Sequence, residues 1–134
     1  MNLKKIKKGF TLIELLIVIV ILGLLASLVA PAMFSKVDSS KIKTAETQMK
    51  MLETSLNTFR LDVGGYPDQL SELIQSDKKG WDGPYLPKDV PLDPWGNPYL
   101  YSKPGADGKA FSLSSAGKDG RPGGEDENAD VVLQ

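Results

Sequence analysis

The chain has 134 residues, with 16 basic and 17 acidic side chains, a formal charge of −1, and neither cysteine nor histidine. The missing residue types exclude disulfides, Cys or His nucleophiles, Ser-His-Asp triads and ordinary zinc sites. This length leaves room for one small domain besides a membrane segment, and acidic residues concentrated at the C-terminal end argue against nucleic-acid binding there.

An apolar stretch follows four lysines near the N-terminus. Residues 10–34 contain one charged side chain, Glu14, and as a helix they would extend about 37 Å, enough to cross the hydrocarbon of a bilayer. A removed secretory signal is the alternative, but its apolar region is usually about 7–15 residues long. The sequence therefore favours a retained, single-pass membrane helix, with the lysines on the cytoplasmic side and the C-terminal domain across the membrane.

Glu14 stands out because a carboxylate within an apolar run is costly and usually has a partner and a function. It lies four residues after Phe10, so a cut after Gly9 would create an α-amine one helical turn away, on the same chain or on a neighbour. The alternative is a position near the membrane surface, where Glu14 reaches water. The residues alone leave both interpretations open.

Residues 9–14, Gly-Phe-Thr-Leu-Ile-Glu, resemble the class III signal sequence of type IV pilins and type II secretion pseudopilins. The resemblance implies that a prepilin peptidase removes residues 1–9 by cutting after Gly9 and methylates the amine of Phe10. It also implies that Glu14 pairs with the amine of an adjacent subunit in a helical filament. Removing four lysines from a chain of formal charge −1 would leave a mature chain of −5.

The apolar stretch also contains Gly23 and Pro31. Proline lacks an N–H group and disfavours helix for the residue before it, here Ala30. We therefore expect the membrane helix to end near Pro31, with a kink or local opening between Gly23 and Pro31. In the resembled filaments this region loses helical structure on assembly, which implies that Pro31 is an assembly residue.

Residues 39–61 have the period of an amphipathic helix. Apolar side chains recur there at spacings of three and four: Ile42, Ala45, Met49, Leu52, Leu56 and Phe59. A stripe of this kind is usually core packing, and it predicts a helix that supports a globular domain over residues 35–134. Together with residues 10–34 it would form one long N-terminal helix.

Glycine and proline at residues 64–67 predict the end of this helix. A short helix is expected to start at Asp68. Residues 76–91 predict a loop that Trp81 and Tyr85 attach to the core.

Three short strands are predicted at residues 99–102, 111–114 and 131–133, with a hairpin turn at 105–109. A ribbon of this size is marginal alone, so it must pack on the amphipathic helix. The fold class is therefore α+β, a long N-terminal α-helix on a small antiparallel sheet. Before the first strand, Asp93-Pro94-Trp95-Gly96 indicates a structural corner, with ligand binding by Trp95 as the alternative, and resembles the run that enters the sheet of major pseudopilins.

Residues 114–130 form an acidic, glycine-rich stretch. Its oxygen donors suit calcium, which accepts six to eight oxygen ligands. Asp126-x-Asn128-x-Asp130 copies the first half of an EF-hand loop, but Val131 stands where that loop needs glycine, which excludes an EF-hand. By composition alone, a solvated tail is the more usual interpretation.

The resemblance to the major pseudopilins of type II secretion favours calcium over a solvated tail. Their calcium loop starts with Gly-x-Asp-Gly and ends with aspartate and an aliphatic residue, as residues 117–120 and 130–131 do here. It implies a structural Ca²⁺ held by the carbonyl of Ala116 and by four side chains: Asp119, Asp126, Asn128 and Asp130. Ala129 replaces an acid common in the family, so Asp126 or Asn128 would have to substitute for it.

The resemblance implies a non-catalytic subunit that polymerises into a periplasmic pseudopilus and drives protein export by type II secretion. It implies an inner-membrane location with the C-terminal domain in the periplasm, and as partners further copies, the prepilin peptidase, minor pseudopilins and the inner-membrane assembly platform. A surface type IV pilin for adhesion, motility or DNA uptake is the alternative, against which the missing cysteine pair and the acidic tail count. A membrane-anchored enzyme is disfavoured because no convergent acid pair lies outside the tail.

Overall fold

The computed structural model describes residues 9–133 of the chain. Contacts divide it into two compact units, one up to Val37 and one from Asp38 onward, which we call the head. Of the expected leader, only Gly9 lies within the described residues.

The first element is the helix α1, which spans Leu12–Val63. It starts after Thr11, whose Oγ1 accepts a hydrogen bond from the N–H of Glu14 at 3.2 Å, one half of the Thr-x-x-Glu capping arrangement. It ends at Gly64, which has a φ of +99° and donates its N–H to the carbonyl of Arg60 at 2.8 Å. Glycine adopts this left-handed conformation without the steric penalty of a side chain, so the predicted stop is confirmed.

The expected end of the membrane helix near Pro31 is wrong. Pro31 lies inside α1, which continues without interruption on both sides of it. Proline has a φ compatible with helix and removes a single N–H donor, so the cost is local, and Ala32 and Met33 are good helix formers that carry the helix onward.

The core of the head is built on one face of α1. The predicted stripe is fully buried at five positions, each 0% exposed, and Ile42 packs against their edge. The buried residues of the stripe are Ala45, Met49, Leu52, Leu56 and Phe59. Later parts of the chain pack against them through Leu73, Leu86, Tyr99, Leu113 and Val131. The predicted amphipathic helix and its buried apolar face are therefore confirmed.

Three short strands form one antiparallel sheet in the order β1-β2-β3. They are β1 Leu100–Ser102, β2 Ser112–Ser115 and β3 Val131–Val132. In the register, Leu100 pairs with Ser114, and Ser115 pairs with Val131. The α+β class is confirmed, and each predicted strand is present to within a residue at each end.

Short 3₁₀ helices lie in the connections, at Leu70–Leu73, Ala106–Gly108 and Asp126–Asn128. The first corresponds to the short helix predicted to start at Asp68, but it begins later, at Leu70. The second forms the hairpin turn, closed by a hydrogen bond from the N–H of Gly105 to the carbonyl of Lys109 at 2.9 Å.

The long loop between residues 75 and 91 is attached to the core as predicted. Trp81 Nε1 donates to the carbonyl of Glu72 at 2.7 Å, and the buried Ser55 on α1 donates its hydroxyl to the carbonyl of Tyr85 at 2.9 Å. Trp95 also packs against the core, which favours the structural interpretation of its corner over ligand binding.

Candidate assembly segment and acidic loop

The first unit exposes nearly all of its apolar surface. From residue 9 to residue 37 every side chain is exposed except the half-buried Ala30, and Phe10 is 89% exposed. Among the described residues, α1 is the one helix long and apolar enough to cross a membrane, although an N-terminal signal sequence meets the same criterion. Contiguous apolar surface of this extent marks a membrane or protein contact.

The cleavage and pairing residues predicted from the sequence lie at the start of this unit. Gly9 and Phe10 precede α1 and are exposed, so the peptide bond between them is accessible. Glu14 lies in the first turn of α1, where unpaired N–H groups and the helix dipole favour a carboxylate. The backbone N–H of Glu14 is already bonded to Thr11, while its side chain extends into solvent.

The acidic loop begins directly after β2, at Ala116, which is 3% exposed. Gly117 follows with a φ of +76°. The N–H of Gly120 donates a hydrogen bond to the carbonyl of Gly117 at 3.2 Å, which closes a turn. A Cβ on Gly117 would lie 2.5 Å from the carbonyl oxygen of Ala129. The two ends of the loop are therefore in direct contact.

Asp130, at the far end of the loop, carries an unpaired buried oxygen. Its Oδ2 accepts a hydrogen bond from the N–H of Gly123 at 2.9 Å, but its Oδ1 is buried and has no hydrogen-bond partner in the part of the chain described. A buried carboxylate oxygen without a donor is costly. A carboxylate oxygen that is buried and unpaired is suited to act as a ligand of a cation.

The other predicted ligands are less closely grouped. Asp119, Asp126 and Asn128 are exposed, and the Oδ1 of Asp119 accepts a hydrogen bond from the N–H of Arg121 at 3.1 Å. Among the side chains that the structure describes, which leave out that of Glu127, no group of three or more Asp or Glu lies close enough together to hold a metal ion. The structure thus brings Asp130 and the loop ends together, but it does not gather the remaining carboxylates.

A buried cluster that the sequence did not indicate lies beneath the loop. Asp93, 4% exposed, accepts a hydrogen bond at Oδ2 from the hydroxyl of Ser115, which is 0% exposed, at 2.6 Å. The hydroxyl oxygen of Ser115 in turn accepts the N–H of Gly117 at 3.2 Å. The Asp-Pro-Trp-Gly run signalled a turn, but no local pattern signals a bond to a residue 22 positions later.

Comparisons with known proteins match the whole length of the chain after the first residues. The family model described as type II secretion system (T2SS), protein G matches residues 32–134. The model described as prokaryotic N-terminal methylation motif matches residues 4–30.

Similar proteins come from several bacteria. A type II secretion system core protein G from Pseudomonas aeruginosa is 41% identical over 133 residues, covering 93% of each chain. The protein of the same name from Vibrio cholerae is 37% identical over 139 residues, covering 96% of this chain and 94% of that one. Among solved structures, the major pseudopilin from the type 2 secretion system of enterohaemorrhagic Escherichia coli aligns with a TM-score of 0.63 and 26% identity, over 73% of this chain and 86% of that chain.

Proposed function

The chain belongs to the type II secretion system protein G family, and from this premise we propose that it is the major structural subunit of a periplasmic pseudopilus. Growth of this filament from the inner membrane drives the export of folded proteins. The family match favours this role over that of a surface type IV pilin used for adhesion, motility or DNA uptake. In this role the subunit is structural and carries out no catalytic step.

The observation that carries this proposal is the uncovered apolar surface of the first unit. Its aliphatic and aromatic side chains are exposed on all sides of the helix, and covering such surface, so that water no longer reaches it, is favourable by about 25 cal/mol per Å². Lipid covers this surface while the subunit is a single-pass inner-membrane protein. Neighbouring copies cover it once the filament forms, together with minor pseudopilins and the assembly platform that start and extend it.

Maturation requires a prepilin peptidase that cuts after Gly9 and methylates Phe10. The exposure of both residues before α1 supports this step. Mass spectrometry of the mature N-terminus tests it, and the expected product begins with N-methylated Phe10. A mature chain that begins beyond Ala30 would contradict both maturation and assembly through the helix.

Glu14 directs assembly by pairing with the α-amine of an adjacent subunit. Its position in the first helical turn and its solvent-exposed side chain support this role. We expect Glu14→Gln subunits to enter filaments poorly when they are co-expressed with tagged wild-type subunits. Glu46→Gln is the matched control, because it removes the same charge from an exposed position on the same helix. Equal incorporation of the two variants would reject the pairing.

A structural calcium ion is the proposed ligand of the acidic loop. The buried, unpaired Oδ1 of Asp130 supports this site. The carbonyl of Ala116 and the side chains of Asp119, Asp126, Asn128 and Asp130 would hold the ion. When bound, the ion offsets repulsion among the carboxylates and fixes the end of the chain to the sheet.

Removing calcium tests this site. We expect EDTA to lower the melting temperature of the protein and added calcium to restore it. Asp130→Asn should abolish this response, whereas Asp107→Asn should preserve it, because Asp107 lies in the hairpin turn at a φ of 53° that asparagine tolerates well. A melting temperature that EDTA leaves unchanged would reject the calcium site.

A further inference from the structure

We propose that Asp93 and Ser115 are positioning residues of the calcium loop, which set its affinity by fixing the backbone around Ala116. This inference rests on the proposed calcium site. Ala116 lies between Ser115 and Gly117, and the Ser115 hydroxyl bonds both the N–H of Gly117 and the carboxylate of Asp93. The residues on either side of a proposed backbone ligand are therefore joined to each other and to a buried anion.

The Asp93 carboxylate is itself held firmly in place. Its Oδ1 accepts two backbone hydrogen bonds, from Trp95 at 3.0 Å and from Asn97 at 2.8 Å. The backbone of the same turn is closed by bonds from the N–H of Asp93 to the carbonyl of Asn97 and from the N–H of Gly96 to the carbonyl of Asp93. Because all of these partners are backbone groups, the Oδ2 of Asp93 has a fixed position in which it accepts the hydrogen bond from the Ser115 hydroxyl.

The same turn also touches the loop at a second point. A Cβ on Gly120 would lie 3.0 Å from the side-chain Nδ2 of Asn97, so the Asn97 amide lies against the backbone next to Asp119. The turn thus supports the loop beneath Ala116 through Asp93 and near Asp119 through Asn97. Groups that hold metal ligands in place typically change metal affinity about 10–100-fold when they are removed.

The experiment compares two buried serines in the full-length chain, solubilised in detergent. Ser115→Ala removes the bond to Asp93 beneath the loop, while Ser55→Ala removes the hydrogen bond that another buried serine donates to the Tyr85 carbonyl elsewhere in the head. Calcium affinity is measured by titration calorimetry, and melting temperature is measured in EDTA and in excess calcium.

For Ser115→Ala we expect the calcium Kd to rise about 10–100-fold, with a smaller rise in melting temperature on adding calcium. For Ser55→Ala we expect the wild-type Kd and a melting temperature lowered equally with and without calcium. If Ser115 had only a structural role, Ser115→Ala would also keep the wild-type Kd and lower the melting temperature equally with and without calcium. That result would overturn the inference.

Asp93→Asn provides a second, nearly isosteric variant in case Ser115→Ala does not fold. It keeps an oxygen for the two backbone donors and should still raise the Kd, because an amide N–H₂ replaces the acceptor of the Ser115 hydroxyl. Wild-type Kd values in each folded variant would reject the positioning role while leaving the calcium site intact. A wild-type chain that binds no calcium would reject the calcium site and the positioning role with it.

Discussion

Phe59 shows how much of the head depends on single large side chains. It is 0% exposed, and its ring meets that of Tyr85 edge to face at a centroid distance of 5.6 Å. The ammonium group of Lys78 lies 5.8 Å from the centre of the same ring. Phe59 therefore connects α1 to the long loop by apolar, aromatic and cation–π contacts.

Replacing this side chain should be costly. We expect Phe59→Ala to lower the free energy of unfolding by about 3–5 kcal/mol, because it removes buried apolar surface and leaves a cavity. Urea unfolding of a fragment containing residues 35–134 measures the change. Thr58→Ala, at the exposed neighbouring position, should change it by less than about 0.5 kcal/mol. Similar losses in both variants would contradict the central place of Phe59 in the core.

At the scale of elements, two tyrosines connect the sheet to the rest of the head. The hydroxyl of Tyr99 donates to Oε1 of Gln48 on α1, and that of Tyr101 donates to the carbonyl of Pro67 at 2.6 Å. Burial raises the pKa of Tyr99 to about 12, with a further contribution from the charge of Asp93. Burial also raises the pKa of Tyr101 to about 12, with further contributions from Glu72 and Asp68.

These shifts predict a loss of stability at alkaline pH. The usual tyrosine pKa is 10, so between pH 10 and about 12 the unfolded chain releases these protons while the folded chain retains them. Stability then falls as pH rises through this window, and the shifts have no effect below pH 10. Denaturant midpoints measured from pH 8 to pH 12 should fall less steeply in the Tyr99→Phe, Tyr101→Phe double variant. An identical slope in wild type and variant would refute the assignment.

The acidic loop depends on glycine where its two ends meet. Gly117 and Gly96 both have a positive φ, of 76° and 86°, but only at Gly117 does an added Cβ meet another atom closely, the carbonyl oxygen of Ala129 at 2.5 Å. Both positions penalise a side chain by about 1–2 kcal/mol through their left-handed backbone. Gly117 carries the additional cost of separating the loop ends.

We therefore expect Gly117→Ala to destabilise the fragment of residues 35–134 more than Gly96→Ala does. The difference should appear as a lower urea midpoint and as faster hydrogen exchange of the Leu133 amide, which bonds the carbonyl of Leu113 at 3.0 Å. Equal destabilisation by the two substitutions would show that backbone conformation alone governs both sites.

At the scale of the whole molecule, the surfaces of the two units differ in their chemistry. The unit up to Val37 exposes apolar side chains and buries none of its described residues, whereas the head has its own buried core and a charged exterior. Within the described part of the chain, the buried hydrophobic residues begin at Ala45 and all belong to the head. The head therefore contains the contacts required to fold without the apolar segment.

Cell fractionation tests whether the apolar unit anchors the chain in the membrane and whether the head is soluble without it. We expect the full-length chain to remain with membranes after an alkaline carbonate wash, and a secreted fragment of residues 35–134 to be soluble and folded by circular dichroism. The apolar surface of the first unit is the physical reason for the difference. A full-length chain that the wash releases would contradict membrane anchoring by α1.

Much of the fold could be predicted because its signals are local. The spacing of the stripe from Ile42 to Phe59 needs only the helical period, and Gly64 ends the helix through its own backbone. The expected end of the helix at Pro31 is wrong because the long helical segments on both sides of this residue outweigh one lost hydrogen bond.

The sequence by itself determined the family signal at residues 9–14, the apolar segment, the helical stripe and the order of short strands, because each depends on neighbouring residues. Only the tertiary structure decided that Asp93 bonds Ser115 and that Asp130 buries an unpaired oxygen. Those two facts depend on where β2 and β3 place residues that are distant along the chain. Strand register fixes such contacts, and no short stretch of sequence encodes it.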